Sequence, residues 1–380
     1  MVTTTDGATG ASGHTATDPR LSQGRWLRIP GPTPLHPNVV KAMTGDMVAH
    51  RSPRAQALVA DVATKLKAAH LTEQAAYVWS GTGSAGWEAA IVNLFSPGDR
   101  VVVTVTGDFG DRFAKLAAAF GLTVYRLETE WGTAVTPDLL EQAFVEHGPF
   151  AGALITHSET STGVANPLKE LAKVARAHGA LVVVDAVSSA AALELRVDEW
   201  DLDWVLSGAQ KAWMCPPGLM ISAVSERAMK ASETASFPRF FWDVRAMAEA
   251  TARDTTPTTP SLALLYGLDA ALDALLDEGM EGVWARHARL ASYVRESLTS
   301  LGLTVLADPA HPSNSVTAFL APEGFTATTF HDALFEGSGI EIAVGQAHMA
   351  NTLLRVGHMG WVDQPELDAA LEAIGAILAQ

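Results

Sequence analysis

Three short stretches of the chain place reactive or charged side chains at the ends of apolar runs. Lys211 follows the run WVLSG, within VLSGAQKAWMCPPG, and Asp185 follows four apolar residues in LVVVDAVSS. The third stretch, VWSGTGSAGWEAA, has a Ser/Thr/Gly loop between Trp79 and Trp87. A charged lysine among apolar neighbours is unusual unless another group pairs with it or uses it, so these stretches are the candidates for chemistry.

The three stretches support complementary chemistry. A lysine in an apolar pocket has a lowered pKa and can form a Schiff base with an aldehyde. A buried carboxylate such as that of Asp185 can keep a pyridine nitrogen protonated, and a helix N-terminus favours a phosphate. These are the three attachments of pyridoxal phosphate, so the sequence predicts a site for that cofactor.

Each feature also has an ordinary explanation by itself. A lone aspartate after a strand is more often a turn or cap residue, and a loop lysine is usually solvated. The segment Gly81 to Gly86, GTGSAG, also fits the G-x-G-x-x-G dinucleotide pattern, and Asp108 lies about 20 residues further on, where a ribose-binding acid is expected. A nucleotide-dependent dehydrogenase is therefore an alternative, but it leaves Lys211 unexplained.

The composition indicates a compact protein and excludes some partners. Of 380 residues, 48% are hydrophobic and 18% are charged, and the net charge of −16 argues against nucleic acid or an anionic membrane as partner. The single cysteine, Cys215, excludes an internal disulfide and indicates a reducing compartment, so we expect a cytoplasmic protein. No apolar run is long enough to span a bilayer. The polar, Gly/Thr-rich residues 1–23 are expected to be a disordered tail.

The pattern of elements predicts an α/β fold with two domains. Between residues 24 and 265, short β-rich runs alternate with longer helical segments, which indicates a mainly parallel sheet covered on both faces. The clearest helix, PLKELAKVARAHG, has its apolar residues at helical spacing. Residues 266–380 contain long helices and short strands, and they predict a smaller α+β domain. The β-rich runs are AAYVWS, RVVVTVT, LTVYRL, AGALIT, ALVVVDA, DWVLSG and LMISAV.

Six motifs resemble, in order, those of class V pyridoxal-phosphate aminotransferases. They are RIPGPTPLHPNVVKAM, HRSP, SGTGSAGWEAA, HSETSTGV, VVDAVSS and SGAQKAWMCPPGL. The chain is most similar to the alanine-glyoxylate and serine-glyoxylate (serine-pyruvate) branch. The resemblance implies fold type I, like aspartate aminotransferase, a homodimer with shared active sites, and an arm of residues 24–35 that reaches the site.

The resemblance also implies a role for each matching position. Lys211 would be the Schiff-base lysine, Asp185 would face the pyridine nitrogen, and Arg355 would bind the substrate carboxylate. Gly31 would approach the substrate through its backbone, and Thr259 would reach the phosphate of the neighbouring subunit. The remaining cofactor-binding positions are Gln210 and Thr160 near the phenolic oxygen, Phe109 stacked on the ring, and Thr82, Gly83 and Ser84 around the phosphate.

The expected reaction is transfer of an amino group from alanine or serine to glyoxylate or pyruvate, without a metal site. Arg28, Arg51 and His50 are candidates for accepting a second acidic group, which would shift the substrate towards a dicarboxylic amino acid. A cysteine desulfurase-like lyase would need Cys215 as a nucleophile. A homologue that binds a ligand without catalysis is a third alternative, because fold alone does not establish activity.

Overall fold

The structure is a computed structural model that describes residues 26–379. The predicted tail, residues 1–23, and the first two residues of the predicted arm lie outside the described residues. The helices are α1 Pro37–Met43, α2 Pro53–His70, α3 Gly83–Leu94, α4 Asp108–Ala119, α5 Pro137–His147, α6 Leu168–Ala177, α7 Glu226–Ala231, α8 Val244–Thr251, α9 Leu262–Glu278, α10 Met280–Ser300, α11 Ala327–Ser338 and α12 Gln364–Leu378. The strands are β1 Trp26–Leu27, β2 Ala75–Gly81, β3 Arg100–Val105, β4 Thr123–Glu128, β5 Gly152–Thr156, β6 Ser158–Glu159, β7 Val164–Ala165, β8 Leu181–Asp185, β9 Trp204–Gly208, β10 Gly218–Val224, β11 Val316–Leu320, β12 Ile340–Glu341, β13 Ala343–Val344 and β14 Leu353–Gly357.

A seven-stranded sheet forms the centre of the fold, in the order β2-β10-β9-β8-β5-β3-β4. All seven strands correspond to the β-rich runs of the sequence. Six of the strands run in the same direction. The seventh, β10, runs in the opposite direction and is antiparallel to both of its neighbours, β2 and β9. The predicted α/β class with a mainly parallel sheet is therefore confirmed.

Both faces of this sheet are covered by apolar packing. Along β8, Val182 and Val184 belong to one buried cluster, whereas Val183 belongs to another on the opposite face. Successive side chains of a strand point to opposite faces, so a strand buried on both sides needs an unbroken apolar run. This explains why LVVV precedes Asp185 without any polar residue.

The C-terminal part of the chain builds a separate apolar cluster around the small sheet β11-β14-β13. Helix α12 packs its Leu367 and Ile374 into this cluster, as its stripe of apolar residues predicts. The expected domain boundary after residue 265 falls within α9, whose apolar residues pack in the large cluster with α1 and α2. The division into domains at that residue stays a prediction.

The residues that follow β1 connect the small sheet to the loop after β9. Strand β1 pairs in parallel with β12, and the Arg28 carbonyl accepts a hydrogen bond from the Gly357 amide at 2.7 Å. Further on, the Thr33 amide donates to the Gln210 carbonyl at 3.0 Å. This arm therefore contacts the segment that carries Lys211.

Among the helices of residues 26–379, none combines the length and the hydropathy that a bilayer crossing requires.

Candidate active site

A cavity of about 270 Å³ opens where β8 and β9 end. In parallel sheets this carboxyl edge is where ligands bind. A wider depression of about 690 Å³, beside α2, contains none of the predicted site residues. Nine of the predicted residues line the smaller cavity, and they are Gly31, Thr82, Gly83, Ser84, Phe109, Thr160, Asp185, Gln210 and Lys211.

Lys211 lies in the turn that follows β9 and is only 9% exposed. Its Nζ donates a hydrogen bond to the Pro30 carbonyl, and its own carbonyl accepts one from the Thr33 hydroxyl at 2.8 Å. Burial lowers the pKa of Lys211 to about 8, and the positive charge of Arg355 adds to this effect. Part of the lysine population is therefore neutral near physiological pH, as attack on an aldehyde requires.

Gly31 allows the arm to pass directly over this lysine. Its φ of +114° is a conformation that side chains rarely adopt, and a Cβ there would lie 2.5 Å from Lys211 Cδ. The glycine is therefore required both by its backbone conformation and by the space that the lysine occupies.

Asp185 ends β8 and is 4% exposed. Its Oδ1 accepts a hydrogen bond from the Val187 amide at 2.8 Å, and its Oδ2 accepts one from Trp87 Nε1 at 3.0 Å. Burial raises the pKa of Asp185 to about 6, although both hydrogen bonds act in the opposite direction. Within residues 26–379 no salt bridge to Asp185 is found, so this buried carboxylate suits a cationic ring nitrogen. Trp87 is not among the residues predicted for the site, although it lies one helical turn after Ser84.

The Ser/Thr/Gly loop forms the N-terminus of α3. Thr82 is the N-cap residue, and its hydroxyl accepts a hydrogen bond from the Ala85 amide at 3.4 Å. The helix therefore directs its first amides towards the cavity wall formed by Gly83 and Ser84, which suits a phosphate. Pyridoxal phosphate fits this set of groups, which consists of the amides at the start of α3, the Asp185 carboxylate and the Lys211 amine.

The same loop does not fit the dinucleotide alternative. Strand β2 lies at the edge of the sheet, and its neighbour is the antiparallel β10, whereas a dinucleotide fingerprint belongs to a parallel βαβ unit. Asp108, the expected ribose-binding acid, pairs instead with Arg112 at 2.6 Å on its own helix.

Arg355 projects from β14 of the small sheet and is 7% exposed. Its Nη2 donates to the Val344 carbonyl at 2.7 Å, and its Nη1 donates to the Thr160 carbonyl at 3.3 Å and to Gln346 Oε1 at 3.1 Å. Burial lowers the pKa of Arg355 to about 10, and the charges of Glu159 and Asp108 partly oppose this. No salt bridge to Arg355 is found in the described part of the chain, so no internal carboxylate pairs with this guanidinium there. Through Thr160, the arginine lies next to the cavity and can bind a carboxylate.

Glu159 is a second residue that sequence analysis missed. It is fully buried, and its carboxylate accepts hydrogen bonds from the amides of Phe109 at 3.3 Å and Gly110 at 3.0 Å. It also accepts one from the Ser161 amide at 3.0 Å. An anion at a helix N-terminus is stabilising, so Glu159 orients the start of α4 and with it Phe109. Its position in HSETSTGV, beside Thr160, was the available signal.

Several other predicted residues lie away from the cavity wall. Thr259 is exposed and does not line the cavity, so its expected contact with a neighbouring subunit stays a prediction. Arg28 is 2% exposed and pairs with Glu366 at 3.2 Å, so it does not serve as a receptor for a second acidic group of the substrate. Arg51 and His50 do not line the cavity either.

Cys215 does not have the properties of a nucleophile. It is fully buried in the turn after Lys211, and burial raises the pKa of its thiol to about 12. A reactive cysteine needs an accessible thiolate, so Cys215 does not fit the nucleophile that the desulfurase-like alternative requires.

Comparison with known proteins shows the family of the chain. The family model described as aminotransferase class-V matches residues 29–362. The chain is 37% identical to the soluble hydrogenase small subunit of Synechococcus, over 93% of each chain. It is 38% identical to the L-aspartate–glyoxylate aminotransferase of Paracoccus denitrificans, over 87% of this chain and 85% of the relative. The crystal structure of an alanine–glyoxylate aminotransferase from Nostoc superposes with a TM-score of 0.89 and 30% identity, covering 93% of this chain and 95% of that one.

The comparisons and the cavity lead to the same conclusion. The matched region includes every predicted residue that lines the cavity, together with Arg355. The chain belongs to the class V aminotransferases, which are pyridoxal-phosphate-dependent transaminases of fold type I.

Proposed function

We propose that this chain transfers the amino group of a small amino acid, alanine or serine, to glyoxylate or pyruvate. The observation that carries this proposal is the buried Lys211 in one cavity with Asp185, with Arg355 at its border. The names of the Paracoccus and Nostoc relatives, which specify glyoxylate as acceptor, support the same substrate class. A decayed, non-catalytic homologue would be expected to have lost some of these residues.

The side chains divide the work of binding and proton transfer. Bound pyridoxal phosphate supplies the electron-withdrawing ring that stabilises negative charge at the substrate α-carbon. We propose that Asp185 keeps the ring nitrogen protonated and that the amides at the start of α3 bind the phosphate. Arg355 would bind the substrate carboxylate, and the Lys211 amine would move the α-proton as a general base. Its lowered pKa suits that task.

The visible absorption spectrum of the purified protein tests this proposal. The wild-type protein is expected to show the yellow band of lysine-bound cofactor, which excess alanine or serine bleaches and glyoxylate or pyruvate restores. Lys211→Ala should lack the band. Steady-state kinetics should follow a ping-pong pattern, because the amino group is stored on the enzyme between two substrates. A protein that takes up no cofactor, or sequential kinetics, would contradict the proposal.

The main question of specificity is whether the site binds the second acidic group of a dicarboxylic amino donor. Arg28, one of the three candidates for binding that group, pairs with Glu366, and this supports a small donor. The Paracoccus relative, by its name, acts on L-aspartate. Comparing kcat/KM for alanine, serine and aspartate distinguishes the two classes, and a preference for aspartate would overturn the proposal of a small donor.

We further propose a homodimer in the cytoplasm. Phe240 is 91% exposed and Phe241 44%, and adjacent exposed aromatic rings are typical of an interface. The exposed Thr259 agrees with a role outside its own cavity. Sedimentation equilibrium should give twice the chain mass, and Phe240→Asp should weaken the assembly.

The single cysteine supports the proposed location in the cytoplasm, which is a reducing compartment.

A further inference from the structure

Trp87 contacts the buried carboxylate at the end of the cavity. It lies at the start of the second turn of α3, is 4% exposed and lines the cavity with Asp185. Its indole Nε1 donates to Asp185 Oδ2 at 3.0 Å, while the Val187 amide donates to Oδ1 at 2.8 Å. Each carboxylate oxygen therefore has one donor, and the rotation of the carboxylate is determined by the two together.

The indole is held in place independently of Asp185. Its ring stacks on Phe113 of α4, with centroids 5.3 Å apart and an angle of 14° between the planes. Phe113 is fully buried in the same apolar cluster. The position of the N–H group is therefore set by packing, and a donor with a determined position can orient the flexible carboxylate.

A buried indole does not need this particular partner. Trp204 and Trp284 are buried among the described residues, and their indole nitrogens have no hydrogen-bond partner. Trp79 and Trp213 donate to the neutral hydroxyls of serines. Trp87 differs from these because its acceptor is the ionisable group of the active site.

We propose that Trp87 is a positioning residue, whose indole N–H orients the Asp185 carboxylate towards the cofactor ring nitrogen and favours its ionised form. The proposal rests on the proposed role of Asp185. A hydrogen bond to an ionised acceptor is stronger than one to a neutral acceptor, so removing the donor weakens the charged form selectively. Trp87 acts through Asp185 and is not itself a catalytic residue.

The test compares binding of two cofactors to the cofactor-free protein. Pyridoxal phosphate has the ring nitrogen, whereas 1-deazapyridoxal phosphate has a C–H group in its place and keeps the aldehyde and the phosphate. The ratio of their dissociation constants, from equilibrium dialysis, isolates the interaction with the ring nitrogen. We expect Trp87→Phe to reduce the preference for pyridoxal phosphate about tenfold, as expected for one hydrogen bond to a charged group. It should also lower kcat while leaving KM for the amino acid unchanged, because Arg355 is intact.

Two controls distinguish orientation from packing. Trp79→Phe removes another buried indole donor from the same apolar cluster, and it should leave the ratio unchanged. In an Asp185→Asn background, Trp87→Phe should have no further effect on the ratio. If Trp87→Phe does not fold, β-(3-benzothienyl)alanine at position 87 keeps the ring shape and removes the N–H group.

The outcomes separate the two proposals. An unchanged ratio in Trp87→Phe or in the benzothienyl variant overturns the role of Trp87. A wild-type protein without preference for pyridoxal phosphate over the deaza compound contradicts the role of Asp185, on which the inference depends. A loss of thermal stability with an unchanged ratio shows that Trp87 has a structural role only, and this result also overturns the proposal.

Discussion

Lys211 and Arg355 are buried cations that lie near each other in a protein with a net charge of −16. Burial lowers the pKa of both, and the charge of Arg355 lowers the pKa of Lys211 further. The arginine keeps its charge under all physiological conditions, because its pKa stays at about 10. Lys211, with a pKa of about 8, is instead partly neutral near physiological pH. At the residue scale, this difference in charge suits the roles proposed for them, Arg355 as the cation that binds a carboxylate and Lys211 as a neutral nucleophile.

The burial of Lys211 predicts a specific pH dependence of stability. The ordinary pKa of 10.5 is lowered to about 8 in the folded protein, so between these values the unfolded chain binds more protons. The free energy of unfolding of cofactor-free wild-type protein should therefore rise with pH across this window, relative to Lys211→Met. The full difference is about 3 kcal/mol. Urea denaturation at pH 8 and pH 10 should show about two thirds of this difference, and parallel pH profiles for the two proteins would show that the lysine is not desolvated.

The planar fork of Arg355 predicts a selective effect on substrate binding. Arg355→Lys retains the charge but loses bidentate geometry and the hydrogen bonds to Val344 and Thr160. We expect KM for the amino acid to rise about tenfold or more, the loss of one hydrogen bond to a charged group. Arg286→Lys, at the ion pair with Glu278, is the matched control. Equal effects of both substitutions would argue against carboxylate binding by Arg355.

At the scale of elements, the site depends on an arm, a turn and two helix starts meeting at one edge of the sheet. Strands β8 and β9 end side by side, so Asp185 and Lys211 follow at the same edge. Helix α3 contributes its N-terminus, and the buried carboxylate of Glu159 holds the start of α4. The arm closes the remaining side through Gly31.

Gly31→Ala tests the packing of the arm on the lysine. The added Cβ would lie 2.5 Å from Lys211 Cδ, in a backbone conformation with φ +114°. We expect at least a tenfold loss of affinity for pyridoxal phosphate, measured by dialysis, because both the arm and the lysine must move. Gly98→Ala is the control, since φ there is +88° but nothing lies within 4 Å of the added Cβ. It should lose about 1 kcal/mol of stability and retain its cofactor affinity.

At the scale of the whole molecule, the N-terminal arm joins the small sheet to the segment that carries Lys211. Its Arg28 pairs with Glu366 of α12 at 3.2 Å, and the two side chains are 2% and 1% exposed. Glu366 Oε2 also accepts a hydrogen bond from the Asp363 amide at 2.9 Å, which fixes the start of α12. A buried ion pair thus connects the C-terminal helix to the segment that contacts Lys211.

A double-mutant cycle measures this connection. Glu366→Gln and Arg28→Met each remove one charge of this buried pair, so each should cost about 3–5 kcal/mol in the free energy of unfolding. The double variant should cost clearly less than the sum of the two, because the interaction between the two charges is lost only once. Additive costs would show that the pair does not couple the arm to α12.

The sequence by itself determined the fold class and the identity of most residues around the cavity, and its motifs indicated the family. The reason is physical: a strand buried on both faces must be an unbroken apolar run, and a polar residue directly after such a run must lie at the edge of the sheet. Lys211, Asp185 and the loop at Thr82 were recognisable on this basis. The close approach of Gly31 became recognisable through the family motifs.

Only the tertiary structure decided the partners of these residues. Trp87 and Asp185 are 98 positions apart, and Arg28 and Glu366 are 338 apart, so no local pattern indicates that they meet. Arg28 was expected to accept a substrate group, but in the folded chain it pairs with Glu366. Glu159 resembled any other acid until its carboxylate was found at the start of α4. Burial and hydrogen bonding between distant segments set the charge and the orientation of each group, and both depend on how the segments pack.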